Sequence, residues 1–171
     1  MKTASHPLPV SSEIPQRQGD IVARLQTAEI FREYQQAFQT ATGLPLVLRA
    51  PGSFQPPLRG SKQINPFCAL LAATSRACAA CLELQQRAED QAVAGSKTLQ
   101  CFAGLSESVV PIRIGEHVVA YLQTGQVFLR PPTRKRFRAA IEQLVKWNAA
   151  VDVVQLEEAY FKTRVLTRAH Y

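Results

Sequence analysis

Between Lys97 and Phe128 the helical period of this chain gives way to a strand period of two, and that change limits its fold more than any other feature. "KTLQCFAG", "ESVVPIRI" and "HVVAYLQTGQVF" read as three strands, the last two joined by the turn "GE". A period of two puts alternate side chains on opposite faces of a sheet, so one face can meet a core. Strands linked by short turns pair as an antiparallel meander. On either side of this block the period is helical. Ile21, Leu25, Ala28, Phe31, Tyr34 and Phe38 recur at helical spacing from Asp20, in one helix that Gly43 and Pro45 stop. "LPLVLRA" reads as a further short strand. "PFCALLAAT" is a short apolar helix with Asn65 as N-cap and Pro66 at its first position. Ser75 caps the next helix, "RACAACLELQQRAEDQAVAG", which finishes near Gly95. "RPPTRKRFRAAIEQLVKWNAA" is helical with Phe137, Ile141, Leu144 and Asn148 on one face, and "DVVQLEEAYFKTRVLTRAHY" is helical to the last residue. The fold class is therefore α+β: an antiparallel sheet of about four to five strands with flanking helices.

A chain of 171 residues fits one domain. Residues 1–17 carry Pro7, Pro9 and Pro15 without apolar periodicity and read as a flexible arm, leaving 18–171 as the globular part. "PGSFQPPLRGSKQ" is a long Pro/Gly-rich loop, the kind that often serves as a lid. The first residues lack the apolar block of a signal peptide, and no stretch approaches the ~20 apolar residues of a membrane span. These features read as a cytoplasmic protein with no membrane contact, and cytosolic thiols are normally kept reduced. The net charge of +7 concentrates at Arg130, Arg134, Lys135, Arg136 and Arg138. Without a helix-turn-helix pattern, this cluster reads as a solvated helix face rather than a DNA contact. A final helix without a stop signal fits a docked terminal helix and a cut from a longer protein equally well.

The four cysteines follow C-x9-C-x2-C-x19-C. Cys68, Cys78, Cys81 and Cys101 are candidate ligands for zinc or an iron–sulfur cluster, since four thiolates satisfy either. Only one C-x-x-C knuckle is present, where the usual zinc signature has two. If Ser75 is the cap, Cys78 lies in a first helical turn that favours its thiolate, which would suit a redox pair with Cys81. The remaining readings are plain core packing and the lining of a small pocket. His6, His117 and His170 are scattered, and neither a nucleophile elbow nor a phosphate loop occurs. Glu107 and Glu116, near strand ends, read as surface residues. Lacking a catalytic set, the chain reads as a binding module and not an enzyme.

"FC-x9-C-x2-C" followed by "QCFAGLSESVVPIRIGEHVVAYLQTGQV" resembles the PocR sensory domain family. The resemblance rests on Cys68; Cys78 and Cys81; Cys101, Ala103, Gly104 and Leu105; Pro111 and Ile112; and Gly125, Gln126 and Val127, and it spans about residues 20–170. The sequence departs from the pattern at Tyr121 and Thr124, where a small residue is expected and larger side chains would narrow a pocket. The resemblance implies a PAS-like fold that senses a small organic molecule such as a diol. It also implies an output module, often an AraC-type DNA-binding domain or a histidine kinase, reached through a connecting helix. Between sheet and cysteine helices the candidate ligand contacts are Phe67, Cys68, Cys101, Phe102, Tyr121 and Gln126. Phe67 and Phe102 would form apolar wall, and Tyr121 and Gln126 would bond a hydroxyl. Strand alternation turns Tyr121 and Gln126 to opposite faces unless a bulge intervenes, and Gly125 is the site for one. The amphipathic ends point to a homodimer. A thiol-based redox or metal sensor is the competing function.

Overall fold

The computed structural model describes residues 13–54 and 64–171. Among them are helices α1 (Glu13–Thr27), α2 (Glu29–Thr42), α3 (Pro66–Leu71), α4 (Ser75–Gln91), α5 (Arg134–Lys146) and α6 (Val153–Lys162). The strands are β1 (Leu46–Arg49), β2 (Lys97–Gln100), β3 (Ser106–Ile114) and β4 (His117–Val127). They form one antiparallel sheet in the order β1-β4-β3-β2, and the fold is α+β as the alternation predicts. No helix among the described residues is long and apolar enough to cross a membrane. Residues 1–12 of the expected arm and 55–63 of the expected lid lie outside the described residues, while α1 begins inside the span read as an arm.

Directly paired residues share a face, so the register sorts the sheet into two sides. Arg49 pairs with Tyr121, Gln123 with Val109, and Leu99 with Glu107. Ala88 of α4 and the following Ala92 pack on this inner side against Val109 and Tyr121. The outer side presents Leu48, Ala120, Ile112 and Leu122 to Val22 of α1 and Phe31 of α2. The largest core lies beyond the sheet's end, where α3, α5 and α6 meet around Tyr160. That ring stands edge-on to Phe67 (5.1 Å) and Phe128 (4.8 Å), and its hydroxyl donates to the Ala103 carbonyl at 3.0 Å. A buried tyrosine thus joins α6 to the turn after β2 without leaving its oxygen unpaired.

The single N-terminal helix expected from periodicity is two helices, broken at Ala28 in an extended conformation. The edge strand β1 supplies the reason. Its carbonyls at Leu48 and Leu46 accept from the side-chain amides of Gln26 (2.7 Å) and Gln35 (2.6 Å). Nine residues in a straight helix would turn these glutamines by ~900°, onto opposite faces and ~13.5 Å apart. The two carbonyls lie only ~7 Å apart along a strand. Only a bent connection lets both glutamines cover the open edge. The break leaves Ile21, Leu25 and Tyr34 of the expected apolar face largely exposed, and Val22 becomes the buried contact.

The last helix also differs from the expectation that it runs to the final residue. It stops at Lys162, with Thr163 extended. The Thr163 hydroxyl donates to the Ala159 carbonyl (2.9 Å) and accepts from the Asn65 side chain (3.1 Å). Residues 164–166 then run beside Phe128, whose N–H reaches the Arg164 carbonyl at 2.9 Å and whose carbonyl takes the Leu166 N–H at 2.8 Å. Asn148, expected on the α5 face, lies beyond that helix with φ +52°.

Asn65 caps α3 and Pro66 opens it, as the sequence predicts: the Asn65 side-chain oxygen accepts from the N–H of Phe67 at 2.8 Å and of Cys68 at 3.3 Å. The bulge expected at Gly125 is present. Ser106 pairs with Val127 but Glu107 with Gly125, so Gln126 is an extra residue in β4. Gly125 has φ +131°, and a Cβ there would lie 2.5 Å from the Ser106 carbonyl oxygen and 2.7 Å from Glu107 Cα. Both obstacles are backbone, so a side chain must push the strands apart. Gly125→Ala is expected to lower stability by roughly 2–4 kcal/mol. Urea unfolding measures this, and an unchanged midpoint would contradict the bulge geometry.

Candidate functional site

The inner face of the sheet carries a continuous chain of buried polar side chains. Arg49 closes β1, Gln123 sits in β4, Glu107 in β3, and Glu89 reaches in from α4. Arg49 Nε donates to Gln123 Oε1 at 2.9 Å, and Gln123 Nε2 donates to Glu107 Oε2 at 2.7 Å. Arg49 Nη1 is paired with Glu89 Oε1, and Glu89 Oε2 accepts the Gly52 N–H at 3.1 Å. The guanidinium carbon lies 5.5 Å from the Tyr121 ring and 5.8 Å from Phe54. Arg49 Nη2 is buried without a hydrogen-bond partner.

Burial shifts the charges of this chain. It pushes the Glu107 carboxyl up to about 7, although the Gln123 hydrogen bond and the Arg49 charge both pull it down. It also brings the Arg49 guanidinium down to about 10, against the raising influence of Tyr121 and Glu107. Near neutral pH one guanidinium therefore faces Glu89 and a carboxyl that is partly protonated. A group poised this way can donate or accept a hydrogen bond, which suits recognition of a hydroxyl.

The thiols sit beside this chain. Cys68 lies on α3, Cys78 and Cys81 on α4, and Cys101 at the end of β2, all as free cysteines. Burial raises Cys68 well above the usual thiol range, with Cys101, Glu107 and Cys81 adding to it. Cys81 is pushed up to about 12 by burial and then by Glu107, Cys101 and Cys78. Cys101 rises to about 11 through burial and Glu107, tempered by the N–H groups of Ala103, Leu105 and Gly104 that point at its sulfur. Gly104, with φ +86°, closes that turn, and its N–H meets the Cys101 carbonyl at 2.9 Å. The Cys-x-Ala-Gly-Leu stretch is thus a backbone cradle for one thiol.

Three of the four thiols are therefore held protonated, as weakly polar packing groups rather than as nucleophiles. Ser75 opens α4 instead of capping it. Cys78 consequently sits one position deeper than expected, and its N–H is already bonded to the Thr74 carbonyl at 2.9 Å. Among the described residues no group of three or more His, Cys, Asp or Glu converges as a metal cage requires.

The six expected ligand contacts divide between three places. Phe67, Cys68, Cys101 and Phe102 join one core cluster, Phe102 standing edge-on to Trp147 at 4.9 Å. Tyr121 lies apart from them, over Val109 and against Arg49. Gln126, 2% exposed, accepts the Asn65 N–H on Oε1 at 2.9 Å, while its Nε2 is buried without a partner. Glu107, expected at the surface, is instead 8% exposed, because α4 packs on the face it points to; Glu116 is exposed as expected. Arg49, Glu89 and Gln123 are polar members of the site that sequence reasoning missed. Their signal was register: Arg49 ends an apolar strand, and Gln123 alternates in phase with Tyr121.

Residues 25–171 match the family described as the sensory domain found in PocR. No curated protein and no solved structure matches the chain.

The buried Glu107 makes a pH prediction with a definite sign. Its folded pKa lies above the ordinary carboxylate value, so the folded state holds the extra proton between about 4.5 and about 7. That contribution to stability is fully present below the ordinary value and is lost as pH rises through about 7. Glu107→Gln is expected to flatten this decline and to exceed the parent by on the order of 2–3 kcal/mol at about pH 8. Urea unfolding across this range checks it, and identical pH slopes for parent and variant would remove Glu107 as the buried titrating group.

Proposed function

The chain belongs to the family of sensory domains found in PocR, and from that premise we propose that its signal is a small hydroxylated organic molecule such as a diol. The observation that carries the reading is the buried, unpartnered Nη2 of Arg49, set among Gln123, Glu107 and Tyr121. A buried donor without a partner costs roughly 1–3 kcal/mol, which a ligand oxygen recovers on binding. Adjacent hydroxyls would use the donor of Arg49 and the carboxyl of Glu107 together. Tyr121 beside Arg49 and the protonated thiols of Cys68 and Cys101 near Glu107 would supply the less polar surroundings, with Phe67 and Phe102 in the core behind the thiols. In this reading Gln126 holds α3 in place and offers its free Nε2 as a further donor.

We place the domain in the cytoplasm as the sensory part of an AraC-type transcription regulator, without enzymatic activity of its own. The DNA-binding output belongs to another part of that regulator. The exposed Ile21, Leu25 and Ile30 on α1 and α2 favour a homodimer. A second reading, a metal or redox sensor, draws on the shared neighbourhood of Cys68, Cys81 and Cys101. It requires the thiols, with Cys78, to converge further and lose their protons on zinc or an iron–sulfur cluster. Elemental analysis of protein purified without chelator separates the two readings: a stoichiometric metal lost on thiol blocking selects the second.

The first reading is tested by thermal unfolding with ethylene glycol, propylene glycol and glycerol. A ligand at a hundredfold excess over Kd adds about 2.7 kcal/mol, a Tm rise of roughly 5–10 °C for a chain of this size. Arg49→Lys keeps the charge but removes the planar fork, and it is expected to abolish the rise. A rise that survives this change would move the ligand away from Arg49, and no rise with any probe would reject small diols.

A further inference from the structure

The outer face of the sheet holds a concavity of about 660 Å³ beyond the part covered by α1 and α2. Its floor is a row of hydroxyls in register across three strands: Thr98 on β2 pairs with Ser108 on β3, which pairs with Thr124 on β4. Thr98 Oγ1 and Ser108 Oγ are 2.6 Å apart, and Thr124 Oγ1 is buried without a partner. Arg130, Arg136 and Arg168 stand along its rim, exposed and converging from the end of the sheet, the start of α5 and the C-terminal segment. Among the described residues none of these three side chains is in a salt bridge, and no Asp or Glu lines the hollow. Glu107 is next to Ser108 in sequence, but it turns to the opposite face and is bonded to Gln123 there.

Three guanidiniums outside any salt bridge around a hydroxyl floor match an anion. Each guanidinium can grip a carboxylate or phosphate through paired N–H groups, and the hydroxyls complete the oxygens or bond the rest of the molecule. The size falls within the ~300–1,000 Å³ of small-molecule sites. A nucleic-acid duplex is read by an element that projects into a groove, whereas these arginines surround a hollow. We propose that this outer groove binds a small organic anion carrying a carboxylate or phosphate group. It is a second ligand site, separate from the inner-face chain of Arg49, Gln123 and Glu107.

Isothermal titration of the 171-residue chain with citrate, phosphoglycolate and inorganic phosphate tests the proposal, with glucose as an uncharged control. Saturable binding of citrate or phosphoglycolate, and none of glucose, is the expected result. The double change Arg136→Gln and Arg168→Gln, on exposed side chains, is expected to weaken binding by about tenfold or more. Thr124→Val, which removes the unpartnered hydroxyl at nearly constant shape, is expected to weaken it severalfold. The proposal is overturned if no anion binds saturably, if the arginine changes leave binding untouched, or if duplex DNA binds through these arginines more tightly than either organic anion. None of these outcomes depends on a diol binding at Arg49.

Discussion

The bulge at Gln126 is the constraint on which the inner site depends. One extra residue in β4, held at φ +62°, turns the strand's end and buries the Gln126 side chain. A non-glycine residue in that region costs roughly 1–3 kcal/mol, so the surroundings must hold it there. Asn65 does much of that. Its N–H meets Gln126 Oε1 at 2.9 Å, its side-chain NH₂ meets the Gln126 carbonyl at 3.0 Å, and its side-chain oxygen caps α3. The same NH₂ reaches the Thr163 hydroxyl, where α6 ends. One asparagine thereby fixes the sheet's end, the start of the cysteine helix and the end of α6 against each other. Cys68 reaches the neighbourhood of Cys101 and Glu107 because α3 begins there.

The legible parts of the fold are those whose cause is local. Alternation, the Asn65 cap and the Pro66 start depend on residues adjacent in sequence, and Gly125 marks the bulge locally although Asn65 holds it from a distance; the structure contains all four. The breaks at Ala28 and Thr163 depend on distant partners. Ala28 bends so that two glutamines reach the open edge of β1, and Thr163 leaves the helix to meet Asn65, 98 residues away. Periodicity carries no trace of either demand. Of the expected contacts, Phe67, Cys68, Cys101 and Phe102 do come together in one core cluster, whereas the buried polar chain of Arg49, Gln123 and Glu107 was hidden. A lone glutamate in a strand reads as solvent-facing until the register shows what covers it.

That polar part has an uneven balance of charge. One buried guanidinium faces Glu89 and Glu107, and desolvation rather than a neighbour's charge keeps Glu107 from ionising fully. A buried ionic chain gives little stability when compared with apolar packing of the same volume. In the proposed diol reading its worth lies in specificity: an unsatisfied donor beside a proton-exchanging carboxyl is costly when empty and selective when filled. The protonated thiols reinforce this. Kept neutral by burial and by Glu107, they add polarizable surface without adding a competing charge.

A sensor must also turn occupancy into a change elsewhere, and a ligand does this only by favouring one arrangement over another. β3 joins the two faces of this molecule through adjacent residues, because Glu107 points to the inner chain while Ser106 and Ser108 face the outer groove. The C-terminal Tyr171 lies against the outer side, with its hydroxyl where a Cβ on Gly125 would come within 2.8 Å of it. Any shift of β3 relative to β4 that accommodates a ligand at Glu107 must therefore pass beneath Tyr171 and the segment that carries Arg168. The tight backbone approach at Gly125 leaves little room to absorb such a shift locally. The sheet then lies as a stiff plate between the two proposed sites, with the C-terminal segment beside it on the outer face.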